Sequence, residues 1–166
     1  KELGDPSANF LPLEMDLTNE QSVKNAIEVT VSHFKTIDVL VNNAGYGLWG
    51  MFEKLTLTEQ FNMMQLNMQT LVGLTHYFIP ILKKNKSAFI LNTSSTAAFQ
   101  AIPALSVYAA SKAFVLTFSR GLQMELKKTK KPKVKSKQRK NFHCAKYCFF
   151  FSWCFGLINC FFFSLY

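Results

Sequence analysis

Residues 38–45 read Asp-Val-Leu-Val-Asn-Asn-Ala-Gly, and this stretch indicates the fold more directly than any other part of the chain. The apolar run from Ile37 to Asn42 is typical of a strand that is buried on both faces of a sheet. Ala88–Asn92 is a second run of this kind. Because helix-like patterns separate the two runs, the sequence predicts an α/β fold with a parallel sheet and flanking helices.

Two capping boxes predict where helices begin. Thr18-Asn-Glu-Gln21 precedes one amphipathic stretch, and Thr56-Leu-Thr-Glu59 precedes a longer one that reaches about Leu82. A third helix is predicted from about Ser106 to Leu126. A short strand is predicted over Asn9–Met15, at a sheet edge because it contains a proline. The apolar stripe predicted for the long helix consists of Phe61, Met64, Met68, Leu71, Val72, Thr75, Phe78 and Ile79.

The chain has two compositional parts. It contains 166 residues with few glycines and prolines, 49% hydrophobic residues and a formal charge of +9, which excludes collagen-like and fully disordered classes. Residues 1–126 hold nine basic and ten acidic side chains, whereas residues 127–166 hold ten basic side chains, no acidic ones and all four cysteines. We therefore expect one domain over residues 1–126, a basic linker over 127–146 and a Phe/Cys-rich hydrophobic tail over 147–166.

Tyr108-Ala-Ala-Ser-Lys112 is the motif that indicates chemistry. Residues four apart share a helix face, so the ammonium of Lys112 can lie beside the phenol of Tyr108. A nearby ammonium favours the phenolate, and such a phenol can give a proton to a carbonyl oxygen or take one from an alcohol. Taken alone, the pair is more typical of a solvated helix face. Ser95, thirteen residues earlier at the end of a predicted strand, adds a hydroxyl that can bond the same oxygen.

The carboxyl ends of the predicted strands carry the other candidate residues. Ligands of open α/β sheets bind at this edge. The edge is formed here by Asp16-Leu17, Asn42–Gly45 and Asn92–Ser95, which are mostly small and polar. Such residues let a ligand approach the backbone closely.

Four of these motifs together resemble the short-chain dehydrogenase/reductase family: Asn42-Asn-Ala-Gly45, Asn67, Ser95 and Tyr108-x-x-x-Lys112, in this order and spacing. The similarity covers about residues 5–126. It implies an incomplete Rossmann-like parallel sheet. It also implies an oxidoreductase that transfers hydride between a nicotinamide cofactor and a small-molecule carbonyl or alcohol. The cofactor is NAD or NADP, with NADP slightly favoured.

The resemblance also implies a role for each site residue. In the catalytic group, Tyr108 is the acid/base, Lys112 assists it and holds the nicotinamide ribose, Ser95 orients the substrate oxygen, and Asn67 holds a water of the proton relay. At the cofactor, Asp16 and Leu17 contact the adenine end, and Asn43, Ala44 and Gly45 line the cleft. Singly, Asn67 is equally typical of an amphipathic helix, Asp16 of a helix start and Ser95 of a turn.

Gly45-Tyr-Gly-Leu-Trp-Gly50 has the spacing of a phosphate-binding turn. That turn also needs a helix that starts within it and an acidic residue about 20 positions further on, and no acidic residue occurs from Gln60 to Leu82. We therefore interpret the stretch as the loop that leaves the strand. Its large side chains either line an apolar substrate entrance or only pack: Tyr46, Leu48, Trp49 and Met51.

The 166 residues depart from the family pattern at both ends. They contain no first strand, Gly-rich turn, first helix or second strand, so the strand predicted over Asn9–Met15 is expected to lack a neighbour. Thr129–Asn141 shows no strand pattern. These departures suggest a truncated or frame-disrupted product that neither turns over nor binds the cofactor tightly.

Residues 147–166 contain no charged side chain and follow a basic stretch. Two interpretations stay open: a low-complexity tail of no function, or a membrane-spanning helix. The second gives an alternative function, a non-catalytic tail-anchored membrane protein, which membrane fractionation would distinguish. Otherwise we expect a cytoplasmic protein that forms homo-oligomers. We expect no nucleic-acid partner, and no metal site because the cysteines lack paired spacing.

Overall fold

A computed structural model describes residues 11–34, 36–127, 133–139 and 160–163, of which residues 134–139 and 160–163 are described by their backbone only. Four strands in these ranges form one parallel sheet: β1 (Val39–Asn42), β2 (Phe89–Ser95), β3 (Lys133–Arg139) and β4 (Cys160–Phe163). Their order across the sheet is β3-β2-β1-β4. The predicted α/β fold with a parallel sheet is confirmed.

The helices follow the predicted order. They are α1 (Glu20–His33), α2 (Leu57–Met64), α3 (Leu71–Leu82) and α4 (Ser106–Lys127). A π-helical segment, Gln65–Thr70, joins α2 to α3, so these three pieces form the single long helix that the sequence predicts. A short 3₁₀ segment, Thr96–Phe99, follows β2.

One of the two predicted capping boxes is confirmed and the other is wrong. The Thr56 side chain accepts a hydrogen bond from the Glu59 N–H, and the Glu59 carboxylate accepts one from the Thr56 N–H. Before α1, the Thr18 hydroxyl instead donates to the Asp16 carboxylate at 2.7 Å. Asn19 is therefore the residue that caps α1, and its side chain accepts from the Ser22 N–H. The helix therefore begins one residue later than the predicted box requires.

The predicted stripe of the long helix is confirmed at Leu71, Thr75 and Phe78, which are buried, and it is wrong at the start of the helix. Phe61 is 60% exposed, whereas Gln60 and Met63 are buried. Gln60 tolerates burial because its amide donates to the backbone carbonyls of Phe52 and Leu55. Apolar periodicity alone misplaces the face because a hydrogen-bonded glutamine occupies it. The main core cluster packs around the sheet and contains Leu17, Val23, Ile27, Ile37, Leu40, Leu66, Leu74, Phe78, Leu82, Ala88, Ile90, Leu122 and Leu126.

The strand predicted over Asn9–Met15 is not formed in its described part. Residues 11–15 have no regular secondary structure, and residues 9 and 10 lie outside the described residues. None of the four described strands pairs with this segment. A proline within it removes one N–H donor, so the segment has little to gain from pairing.

The basic stretch after α4 does contain a strand, which contradicts its prediction as a linker without one. The N–H of Lys133 donates to the carbonyl of Ala88 at 2.8 Å, and β3 pairs with β2 along seven residues. Backbone hydrogen bonds hold this strand, and they do not depend on the aliphatic side chains that the prediction required. The boundary placed at residue 126 is therefore too early for the fold.

The four described residues of the hydrophobic tail, Cys160–Phe163, form strand β4 beside β1. The rest of residues 147–166 lies outside the described residues. Among the residues that the structure describes, no helix has the length and apolar character needed to cross a membrane. Membrane anchoring stays a prediction.

Candidate active site

Six of the nine predicted site residues lie at the carboxyl ends of β1 and β2 and on the helix that packs against them. Asn43, Ala44 and Gly45 follow β1 directly, Ser95 is the last residue of β2, and α4 carries the Tyr108/Lys112 pair. β1 and β2 are in register, with Asn42 opposite Asn92. The two strand ends therefore meet at one edge of the sheet.

Lys112 is the side chain that joins α4 to the end of β2. Lys112 is only 6% exposed, and its ammonium donates to the Thr93 carbonyl at 3.2 Å. The hydroxyl of Ser94 donates back to the Lys112 carbonyl at 2.8 Å. The same ammonium lies 5.9 Å from the centre of the Tyr108 ring. A buried cation is thus fixed beside a phenol, as the i, i+4 spacing predicts.

Tyr108 is partly exposed and packs against the loop that leaves β1. A Cβ added at Gly47 would lie 3.1–3.3 Å from three atoms of the Tyr108 ring. Glycine therefore lets the loop backbone approach the ring more closely than another residue could. Residues 43–49 form no helix, and α2 begins only at Leu57, so the interpretation of Gly45–Gly50 as a loop rather than a phosphate-binding turn is confirmed.

Asn67 lies in the π segment and is 1% exposed. Its amide oxygen accepts from the Tyr46 N–H at 3.1 Å, and its amide nitrogen donates to the Tyr46 carbonyl at 2.9 Å. The amide nitrogen also donates to the Ser111 hydroxyl at 3.1 Å. Both amide hydrogens are therefore used within the protein, and the side chain links the loop after β1 to α4. The proposed role of Asn67 in holding a water is a prediction beyond these contacts.

Ser95 is 4% exposed and caps the 3₁₀ segment, because its hydroxyl oxygen accepts from the Ala97 N–H at 3.2 Å. The Ser95 hydroxyl only accepts in this bond, so the bond does not use the hydrogen of the hydroxyl itself. Ser95 lies one residue beyond Ser94, which is bonded to the Lys112 carbonyl. The bond between Ser94 and Lys112 therefore holds the end of β2, which includes Ser95, against α4.

The predicted adenine-side residues lie in the turn before α1. The Asp16 carboxylate accepts hydrogen bonds from the side chain and the N–H of Thr18, which lower the pKa of Asp16 below its ordinary value. Leu17 is buried in the core cluster. Asp16 is exposed and Leu17 presents its backbone carbonyl to the π segment, where the Thr70 hydroxyl donates to it at 2.8 Å.

The three predicted cleft residues have different neighbours. The Thr93 hydroxyl donates to the Asn43 side chain at 3.0 Å, and Ala44 packs on the core cluster. A Cβ at Gly45 would lie 2.6 Å from the Asn67 amide oxygen and 3.4 Å from the Lys112 ammonium. Gly45 therefore permits the close contact between the loop and the two buried polar side chains.

A buried polar ladder beneath the site was missed by the sequence reasoning. The Asn42 amide donates to Thr75 at 3.0 Å and to Asn92 at 2.8 Å, and Asn92 donates to Ser119 at 2.9 Å. The ladder joins α3, β1, β2 and α4. An asparagine at the end of both apolar strands was the available signal, since parallel strands in register place such residues side by side.

The residues present fit the two ends of a nicotinamide dinucleotide. The Lys112 ammonium lies beside Tyr108, and an ammonium and a phenol are groups that can bond ribose hydroxyls. The exposed Asp16 turn offers polar groups to an adenine ring. The described residues include no Gly-rich turn at a helix N-terminus for the pyrophosphate.

Comparison with known proteins identifies relatives of one kind. A family model described as short chain dehydrogenase matches residues 1–136, ten residues beyond the predicted boundary. A protein named 11-beta-hydroxysteroid dehydrogenase-like 3 from Arabidopsis thaliana is 36% identical over 121 residues, which are 72% of this chain and 39% of that protein. The chain thus spans well under two thirds of this relative.

Two solved structures share the fold. The 3-ketoacyl-(acyl-carrier-protein) reductase of Brucella melitensis, complexed with NADH, has a TM-score of 0.69 and 31% identity over 74% of this chain and 52% of that one. A metagenomic short-chain oxidoreductase in complex with NADP has a TM-score of 0.69 and 26% identity over 76% of this chain and 57% of that one. The family match, the parallel sheet and the Tyr108/Lys112 pair on α4 agree, and the chain belongs to the short-chain dehydrogenase family of Rossmann-like oxidoreductases.

Proposed function

We propose that the protein to which these residues belong catalyses NAD(P)-dependent hydride transfer between a nicotinamide and a carbonyl or alcohol substrate. The observation that carries this proposal is the buried Lys112 ammonium, bonded to the Thr93 carbonyl and 5.9 Å from the Tyr108 ring. Family membership and relatives solved with NADH and NADP support it.

The chain's own residues divide the work of proton transfer. The Tyr108 hydroxyl gives a proton to the substrate carbonyl oxygen, or takes one from the alcohol in the reverse direction. The Lys112 ammonium stabilises the resulting phenolate and bonds the nicotinamide ribose. The Ser95 hydroxyl donates to the same substrate oxygen and orients it. When bound, the nicotinamide cofactor supplies or accepts the hydride.

Tyr46 lies in the loop beside the site but is a poor candidate for the acid/base. Burial raises the pKa of its phenol above the ordinary value, and the Glu59 carboxylate raises it further. A raised pKa disfavours the phenolate. Tyr46 therefore provides a matched control for Tyr108.

The first experiment uses the protein to which these residues belong and compares its Tyr108→Phe and Tyr46→Phe variants in the reduction of a panel of ketones. Tyr108→Phe should lower kcat at least about 100-fold because the proton donor is lost, whereas Tyr46→Phe should keep most of the activity. Retained turnover in Tyr108→Phe would contradict the proposed mechanism.

We also propose that the substrate is apolar. A small pocket beside Tyr108 is lined mostly by apolar side chains, with Gln60 and Ser106 also in the lining; the large apolar members are Leu48, Phe52, Leu55, Met63, Leu105 and Val107. The adjoining loop exposes Trp49 by 73% and Met51 by 61%, in support of the apolar entrance that the sequence suggests. Ketones with long or fused-ring apolar bodies should then have a lower KM than small polar ketones of equal reactivity.

Cofactor preference is tested by calorimetric titration with NADH and NADPH. We keep NADP as the favoured cofactor, and we expect a polypeptide limited to these 166 residues to bind both more weakly than micromolar. The reason is the lack of a Gly-rich pyrophosphate turn among the described residues. Micromolar binding of either cofactor would contradict this expectation.

A further inference from the structure

The π segment makes side-chain hydrogen bonds in two directions. Toward the turn before α1, Gln65 donates to the Thr18 carbonyl at 3.0 Å and Thr70 donates to the Leu17 carbonyl at 2.8 Å. Toward α4, Asn67 donates to Ser111 at 3.1 Å. One segment thus connects the turn that carries Asp16 with the helix that carries Tyr108.

The π geometry explains how Gln65 and Thr70 reach adjacent carbonyls. Backbone bonds in a π-helix join residues five apart, so these two residues lie one turn apart on the same side of the helix. In an α-helix, residues five apart are rotated by about 140° from each other. An α-helical course would therefore direct only one of the two donors at the turn.

Few other contacts hold this turn in place. Asp16, Thr18 and Asn19 are exposed, and only the Leu17 side chain reaches the core. The Asp16 carboxylate is bonded to Thr18, which stiffens the turn internally but does not attach it to the rest of the molecule. The turn is bonded to α1, because the Asp16 N–H donates to the Ser22 hydroxyl at 3.2 Å and the Asn19 side chain accepts from the Ser22 N–H. The two bonds from the π segment attach it to the long helix.

We propose that Gln65 and Thr70 are positioning residues that fix the Asp16–Thr18 turn for the adenine half of the cofactor. The proposal rests on the proposed function and on the family resemblance, which implies that Asp16 and Leu17 contact that half. Neither Gln65 nor Thr70 touches the cofactor in this role. Their contribution is to hold the turn at a set distance from α4.

The test uses Thr70→Val, which keeps the side-chain shape and removes the hydroxyl donor, with Thr70→Ser as the matched control. Each protein is titrated with adenosine 5′-monophosphate and, separately, with nicotinamide mononucleotide, followed by amide NMR shifts. Loss of one hydrogen bond should weaken adenosine monophosphate binding about fivefold. Nicotinamide mononucleotide binding should be unchanged, and Thr70→Ser should restore the wild-type affinity.

Amide hydrogen exchange gives a second readout that needs no ligand. In Thr70→Val, the N–H of Thr18 and Asn19 should exchange faster, while the amides of α4 keep the wild-type rate. Gln65→Met removes the other bond by an independent substitution, so unfolding of one variant leaves the test standing.

Three outcomes would overturn the positioning role. They are unchanged adenosine monophosphate binding in both variants, equal weakening of both mononucleotides, or no binding of adenosine monophosphate by the wild-type chain. The proposed function fails differently, through turnover that survives Tyr108→Phe. Mononucleotide binding requires no turnover, so the two failures can be told apart.

Discussion

At the scale of single residues, buried polar side chains decide the geometry of the site. Asn67 is nearly inaccessible and still satisfied, because the backbone of Tyr46 offers it both an N–H and a carbonyl. Ser111 is 1% exposed and bridges Asn67 to the Tyr108 carbonyl, to which its hydroxyl donates at 2.7 Å. Such residues hold α4, the helix that carries Tyr108, against the loop after β1.

Gly45 is the residue where substitution should be most disruptive to this arrangement. A Cβ there would lie 2.6 Å from the Asn67 amide oxygen, so one of the two must move. We expect Gly45→Ala to lower the free energy of unfolding by about 1–3 kcal/mol, because strain and a lost buried hydrogen bond add. Urea denaturation followed by circular dichroism measures the change.

Gly121→Ala is the matched control for this prediction. Gly121 lies in α4, and a Cβ there would meet no atom within 4 Å. Alanine in an open helical position should raise stability by about 1 kcal/mol or less. Equal stability of Gly45→Ala and Gly121→Ala would contradict the close approach of Gly45 to the Asn67 side chain.

At the scale of elements, helix ends were predictable where local hydrogen bonds compete with no outside group. The Thr56/Glu59 box forms as predicted because both partners are exposed and adjacent. At α1 the prediction failed because the helix begins one residue later, with the Asn19 side chain as its cap. The sequence contains both candidate caps, Thr18 and Asn19, but it does not show at which of them the folded helix begins.

Thr56→Ala tests the box at α2. Loss of the cap should lower Tm by about 3 °C at pH 7. The Glu59 carboxylate accepts hydrogen bonds from the Thr56 hydroxyl and, with a smaller effect, from the Thr56 N–H. These bonds hold the pKa of Glu59 below its ordinary value of 4.5. A lowered pKa stabilises the fold above the ordinary value, and this stabilisation is lost as the pH falls through the folded-state pKa. The deficit of Thr56→Ala should therefore shrink below pH 4.5.

Thr58→Ala is the control, since Thr58 is exposed in the first turn of the same helix. It should leave Tm nearly unchanged at every pH. Calorimetric scans from pH 3 to pH 7 would reveal the difference. A deficit in Thr56→Ala that stayed constant across this range would show that Glu59 takes no part in the cap.

At the scale of the whole molecule, the sheet extends further than the family-like composition of residues 1–126 suggests. β3 lies in the basic stretch and β4 in the hydrophobic tail, on opposite edges of the β2–β1 pair. The family match to residue 136 includes the beginning of β3. Charge composition therefore marks a change in the sequence and not the edge of the sheet.

Proline substitutions in β3 test its pairing. Because the Lys133 N–H points to β2, the N–H of Lys135 points the same way and that of Ser136 points to the opposite side. Lys135→Pro should lower the free energy of unfolding by about 1–3 kcal/mol, since a ladder bond is lost. Ser136→Pro, which keeps that bond, should cost clearly less. Equal stability of the two variants in urea would contradict the pairing of β3.

The sequence by itself determined the class of fold, the order of the central elements and the motif that pairs a phenol with an ammonium on one helix. These follow from local periodicity and from spacing along one helix, as with Tyr108 and Lys112. Only the tertiary structure decided which polar side chains are buried and where the sheet ends. The pairing of β3 with β2 and the bond between Asn42 and Asn92 depend on groups distant in sequence. The choice of Asn19 over Thr18 and the burial of Gln60 depend on how the neighbouring turn and loop fold. Hydrogen-bond partners brought together by folding, rather than residue type, decide such positions.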